Sequence, residues 1–296
     1  MKKIIFGILT IGLLFGSCGD DDSTGTTSEL TLNLTGLENL GADFVYEGWV
    51  MVDGVPQTTG IFTVDDDEVL SQTVFDVESE ALAAATKFIL TVEPAVDPDP
   101  APSDQKYIAG DFDGNSASVS TRTAPAVGDF SNSAGTFFLR TRTDEDPAVG
   151  NNGNDQYGVW FGTPGAPPTA NLTLPDLPVG WVYEGWVIGD AGPISTGTFT
   201  DFGAVDSGNP FSGTLSNAGP PVPGEDFFNN APAGETFPLD VRGRMVVISV
   251  EPVPDNSPAP FALKPLAAPA GAETAPTAHD FGLNVDATFP VGTVTR

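Results

Sequence analysis

Along most of this chain apolar and polar residues alternate with a period of two, in short runs. Leu30–Leu34, Phe44–Val52, Gly60–Val64, Phe88–Val92, Tyr107–Phe112, Thr136–Thr143 and Tyr157–Phe161 are rich in β-branched and aromatic residues, with Gly, Pro, Asn or Asp between them. That period places successive side chains on opposite faces of a strand, and frequent turn signals join short strands into a sandwich or barrel. The expected fold class is all-β, built of β-sandwich units. One segment departs from the pattern: Glu78–Thr86 (ESEALAAAT) opens with acid, continues with good helix formers and predicts a short helix. Two strands differ in a telling way. In the run around Trp49, Val45, Trp49 and Met51 fall on one face and Tyr46, Val50 and Val52 on the other, so both faces are apolar and the strand should be central and covered. Phe88, Leu90 and Val92 instead alternate with Thr91 and Glu93, as a strand with one wet face should.

The hexapeptide VYEGWV occurs at Val45–Val50 and again at Val182–Val187, an offset of 137. At that offset Leu37, Leu40, Asp53, Pro56, Gly60 and Phe62 meet Leu174, Leu177, Asp190, Pro193, Gly197 and Phe199. Further on, Val92-Glu93-Pro94 meets Val250-Glu251-Pro252 at an offset of 158, which locates an insertion within Ser212–Pro238 of the second copy. Later still, Thr136-Phe137 matches Thr288-Phe289. An internal duplication is the simplest account, with repeats at 29–165 and 166–296 divided by Pro164–Pro168. The second copy has no evident counterpart to Tyr157–Phe161, so one copy is expected to complete its sheet with a strand from the other. Glu47 and Trp49, with their equivalents Glu184 and Trp186, are the candidate structural or binding residues. A buried glutamate there needs a hydrogen-bonded or cationic partner.

The first residues address the compartment. Lys2 and Lys3 precede an apolar stretch from Ile4 to Phe15, followed by Gly16-Ser17-Cys18. This reads as a secretory signal over residues 1–17, too short to span a bilayer. The ending FGSC resembles the lipobox of bacterial lipoproteins, which implies acylation of Cys18, a palmitate-type anchor and an acidic tether over residues 18–28. Cys18 is the only cysteine, so an intramolecular disulfide is excluded. The expected location is the cell envelope, on the outer membrane, with exposure at the cell surface as one orientation. With 40 acidic against 11 basic residues and a formal charge of −29, the chain repels phosphate backbones and anionic lipid. Nucleic acid is excluded as a partner, and membrane contact falls to the lipid on Cys18.

A family resemblance is carried by Tyr46, Trp49-Val50, Asp53-Gly54-Val55-Pro56, Gly60, Phe62 and Thr91-Val92-Glu93-Pro94, with looser versions at Asp190–Pro193 and Ser249–Pro252. This pattern is similar to the extracytoplasmic domain of anti-sigma-K factors. The resemblance implies a β-sandwich and a sensing or binding role outside the membrane. The family's sigma-binding domain and transmembrane helix are expected to be absent, because the lipobox sits where they would lie.

Catalytic chemistry is thinly represented. His279 is the only histidine and reads as a surface-loop residue, without a nucleophile motif beside it. Asp65–Glu68, Asp97–Asp99, Asp111–Asn115 and Asp144–Asp155 are acidic loops whose spacing is not that of a calcium-binding EF-hand, so solvated turns are expected, with no metal and no cofactor. Arg140 with Arg142, and Arg242 with Arg244, are placed by period two on a common strand face, neutralising carboxylates rather than binding anions. The expected function is a non-catalytic binding or structural role, with an envelope protein or glycan as partner. The alternatives are an accessory sensing component of an anti-sigma system and a carbohydrate-active enzyme using paired carboxylates.

Overall fold

The computed structural model describes residues 25–146, 148–215, 219–255 and 257–296; Cys18 and the leader lie outside them. Nearly all regular structure is strand. The first part of the chain forms β1 (Thr27–Thr35), β2 (Phe44–Val52), β3 (Val55–Phe62), β4 (Val74–Glu78), helix α1 (Ser79–Ala84), β5 (Lys87–Pro94), β6 (Lys106–Asp113), β7 (Ser116–Ser120), β8 (Thr136–Leu139) and β9 (Gly158–Phe161). The rest forms β10 (Trp181–Ile188), β11 (Pro193–Phe199), β12 (Gly224–Asp226), β13 (Met245–Pro252), β14 (Leu266–Pro269), β15 (His279–Asp280), β16 (Gly282–Leu283), helix α2 (Val285–Thr288) and β17 (Val291–Thr295).

Local chemistry explains the boundaries. The β2–β3 hairpin turns through Asp53-Gly54, both at positive φ, the backbone that a tight Asp-Gly turn requires. Helix α1 starts where the Glu78 carboxylate accepts the Ala81 amide. It stops short of the expected Thr86, because the Thr86 amide donates to the Met51 carbonyl instead and the chain enters β5. Strand β8 likewise ends at Leu139, so Arg140–Thr143 is not strand. Arg140 and Arg142 converge on one buried carboxylate, Glu145, at 3.0 and 2.7 Å. Arg242 and Arg244 also lie outside the strands, paired with Asp240 and Asp190. The shared strand face expected for each arginine pair is therefore absent, although both pairs do neutralise carboxylates.

All strand pairings are antiparallel, in three sheets. One has the order β3-β2-β5-β6-β7-β17-β1-β4, the second β11-β10-β13-β14-β16, and the third β12-β9-β8-β15. From β11 to β14 the second sheet follows the order of β3 to β6 in the first, and the two parts of the chain share strands: β17 lies in the first sheet, and β8 and β9 lie in the third with β12 and β15. β17 pairs with β1 and β7, and β8 pairs with β9 and β15. β9 pairs with β8 on one side and with β12 on the other.

One continuous apolar core unites the two systems. It contains Tyr46, Phe88 and Leu90 together with Phe137, Phe161, Tyr183 and Ile248. Each fully buried aromatic or aliphatic side chain contributes about 1.5–3 kcal/mol relative to exposure. The other face of β2 is covered as its pattern predicts: Trp49, Ile89 and Ala109 form a separate small cluster under Met51 and Ala126. β5 and β13 depart from expectation. Thr91, Glu93, Ser249 and Glu251 are all buried, so these strands have no wet face.

The glycine inside VYEGWV is fixed by packing. A Cβ on Gly185 would lie 2.3 Å from Phe161 Cε2 and 2.4 Å from Thr196 Oγ1, at a point where the β10–β11 register shifts. Phe161 belongs to β9, so this contact joins the second and third sheets. Gly185→Ala is expected to destabilise the protein by about 3 kcal/mol through overpacking. A thermal melt indistinguishable from wild type would contradict that account.

Candidate functional site

The two hexapeptides build the same polar device. In the first, Trp49 Nε1 donates to Thr91 Oγ1 at 2.9 Å, the Thr91 hydroxyl donates to the Glu93 carboxylate, and the Ser103 amide donates to the same carboxylate at 2.8 Å. In the second, Trp186 Nε1 donates to Ser249 Oγ at 2.7 Å, the Ser249 hydroxyl donates to Glu251, and the Phe261 amide donates to Glu251 Oε1 at 3.0 Å. Glu47 accepts from the Thr58 hydroxyl and Glu184 from the Ser195 hydroxyl. Tyr46 and Tyr183 turn into the core and donate to the carbonyls of Glu38 and Pro175. Every polar atom that the motif buries is thus answered by a hydroxyl, an amide or a carbonyl, which is what burial demands. Trp49 and Trp186 are covered, and Glu93 and Glu251 behind them hold the Ser103 and Phe261 amides of the loops that follow β5 and β13.

These networks also explain why β5 and β13 misled the reading of alternation. A Thr-x-Glu or Ser-x-Glu pattern marks a solvated face only when no donor stands opposite. Here the indole N–H does, and the carboxylate closes the loop behind it. The missed signal was the tryptophan on the neighbouring strand.

Glu184, Glu251 and the exposed Asp255 bring carboxylate oxygens within 4.8 Å of one another, a spacing that could hold a metal ion. Burial pushes Glu251 up to about 8, against the lowering effect of the Ser249 hydroxyl and the Phe261 amide, and Glu184 is raised by burial as well. The acidic stretches singled out in the sequence are in part held by their own turns, although Asp144 Oδ1 is buried without a partner. Asp65 accepts the amides of Asp67 and Val69, while Asp144 accepts from Asn152 and Asn154. Asp111, Phe112 and Asp113 belong to β6 and its hairpin and not to a loop. His279 is likewise not a loop residue: it sits in β15 opposite Phe137, with its ring 5.3 Å from that of Phe137 and a ring nitrogen 2.9 Å from the Glu273 carbonyl.

A second polar region lies where the halves meet, and the sequence pointed to none of it. The insertion in Ser212–Pro238 supplies β12, which pairs with β9 and carries two fully buried acids, Glu225 and Asp226. Asp226 Oδ2 accepts from the Thr143 amide at 2.6 Å and the Thr143 hydroxyl at 2.7 Å, and Oδ1 accepts from Trp160 Nε1 at 3.1 Å. Glu225 accepts from the Ser212 hydroxyl and from the amides of Asp226 and Phe211. Asp206, partly buried beside them, accepts the Gly224 amide at 2.9 Å. Burial pushes all three carboxyls up to about 7. Above them opens a cleft of about 280 Å3, bordered by Trp160, Val205, Asp206, Asn209, Ser212 and Gly224. It draws on β9 and on the loops before and after β12, between elements distant in sequence, where small-molecule sites commonly arise.

Among the five candidate residues only Cys18 falls outside the described part, and the other four form two matched pairs and no shared centre: Glu47 with Trp49 in one sheet system, Glu184 with Trp186 in the other. Comparison with known proteins finds no matching family model, no matching curated protein and no matching solved structure, so the similarity to anti-sigma-K extracytoplasmic domains stands on the motif residues alone.

Proposed function

We propose that this protein is an exported, lipid-anchored binding module of the cell envelope, without catalytic activity of its own. The observation that carries the reading is the interlocked fold with a cleft at its seam. Two sheet systems exchange their last strands around one core, and the exchange fixes the loops that border the cleft, as a rigid scaffold fixes a binding surface. Signal-like residues 1–17 and the lipobox-like FGSC supply the anchor at Cys18, and the acidic residues after it supply a solvated tether into β1. Two or more acyl chains hold a protein stably on a membrane, at about 0.8 kcal/mol per buried methylene. Among the described residues no helix is long and apolar enough to cross a membrane. The buried carboxylates serve as acceptors for hydroxyl and amide donors within the fold, which supports a structural use of these acids over paired-acid catalysis.

The anchor is tested directly. Metabolic labelling with a fatty-acid analogue should mark the wild-type protein, and Cys18→Ser should abolish the label and shift the protein out of the membrane fraction. An unlabelled wild-type protein would refute the anchor.

A further inference from the structure

Each sheet system curls so that its two ends approach, and the two differ in how the gap is closed. In the first, Phe75 of β4 packs on Phe62 of β3 with ring centroids 6.1 Å apart. The Phe75 ring also lies 2.9 Å from where a Cβ on Gly60 would stand. The gap is plugged by an aromatic side chain. In the second, Gly197 is the counterpart of Gly60, and the group 2.9 Å from its would-be Cβ is the carboxyl carbon of Asp206. A carboxylate replaces the plug, and the cleft of about 280 Å3 opens at this place.

We propose that this cleft binds a small organic cation, a primary ammonium carried on a largely apolar body. The inference deepens the binding-module reading by naming its ligand class, and it does not depend on the anchor. Three features select the class. First, Asp206 borders the cleft with Glu225 and Asp226 behind it, and no lysine or arginine pairs with any of the three among the described residues. The nearby Arg140 and Arg142 are committed to Glu145. An ammonium would favour the ionised form of the Asp206 carboxyl that burial alone disfavours, and a neutral polyol would not. Second, the oxygens of Glu225 and Asp226 are spent on internal donors, and the group of carboxylates with metal-ligand spacing is Glu184, Glu251 and Asp255. A cavity of this size also exceeds a bare ion and approaches that of small-molecule clefts. Third, the indole of Trp160 and the side chain of Val205 form an apolar wall.

Calorimetry on the full chain in detergent tests this. The probes are N-acetyl-lysine methyl ester, its norleucine analogue lacking the ammonium, and methyl glucoside. The lysine probe is expected to bind, with the norleucine probe at least about tenfold weaker. Asp206→Asn should weaken the lysine probe by about tenfold or more, while Asp201→Asn, an exposed acid on the same loop, should leave it unchanged. Asn209→Leu changes an exposed side chain at the rim and should also weaken binding, so the proposal stays testable if Asp206→Asn fails to fold. Equal binding of the lysine and norleucine probes, binding of methyl glucoside alone, wild-type affinity in both cleft variants, or no heat at about 10 mM probe would overturn the proposal. Fatty-acid labelling that succeeds while the probes fail would remove the ligand class and leave the anchored module standing.

Discussion

Residues 29–165 and 166–296, expressed separately, are expected to be unfolded or molten, and mixing them is expected to restore one cooperative melting transition. The reason is the exchange of strands. Without the second fragment, the first loses β17 from between β7 and β1, which detaches β1 and β4 from the rest of the sheet. Val294 is then missing from the core, and Arg296 no longer reaches the carbonyls of Leu82 and Ala85 at 2.6 and 2.7 Å or the ring of Phe112 at 4.4 Å. Without the first fragment, the second loses β8 and β9 and with them Phe137 and Phe161. Each loss exposes large apolar area worth about 1.5–3 kcal/mol per side chain, against a total stability of about 5–15 kcal/mol. In the intact chain Val294→Asp should cost about 4 kcal/mol, since it buries an unpaired charge. Circular dichroism melts decide the matter. Two fragments that each melt cooperatively at the temperature of the full chain would show independent beads.

Raising the pH from about 5 to 8 is expected to lower the melting temperature, on the order of 10 °C. Burial raises Glu38, Asp206, Glu225 and Asp226 to about 7 and Glu251 to about 8. In the unfolded chain these groups titrate near their ordinary value of about 4. The folded state therefore holds protons that the unfolded state releases. Their contribution is fully present below about pH 4 and is lost as the pH rises through 7 to 8, at up to about 1.4 kcal/mol per pH unit for each group. The sign is opposite to that of a protein whose acids are stabilised by salt bridges. Glu251→Gln should flatten the profile most between pH 7 and 8. A melting temperature that is level or rises over this range would mean that the buried acids ionise without penalty.

Much of the architecture was legible because it is local. Alternation marked β1, β2, β5, β6 and β9, Asp53-Gly54 marked a hairpin, and the apolar character of both faces of β2 announced the cover over Trp49. The short strands β12, β15 and β16 were not legible, since two or three residues carry no period. β17 escaped for another reason: Val291–Thr295 is a single modest β-branched run at the end of the chain, and its importance lies in the strands on either side of it.

The candidate site divides the same way. Glu47, Trp49, Glu184 and Trp186 stood out by repetition, and repetition here records a shared structural need: an indole N–H, a hydroxyl and a carboxylate that must meet to be buried. The cleft beside Asp206 leaves no such trace. It depends on a glutamate and an aspartate that look solvated in sequence, on Trp160 from a distant strand, and on the place where an aromatic plug is missing. Taken alone, the amino-acid sequence determined the all-β class, the duplicated hexapeptide and the acidic character, because period, repetition and charge are properties of neighbouring residues. Which half each terminal strand completes, which acids lose their water and where the fold opens were decided by tertiary structure, because each depends on residues far apart in the chain that only the packed core brings together.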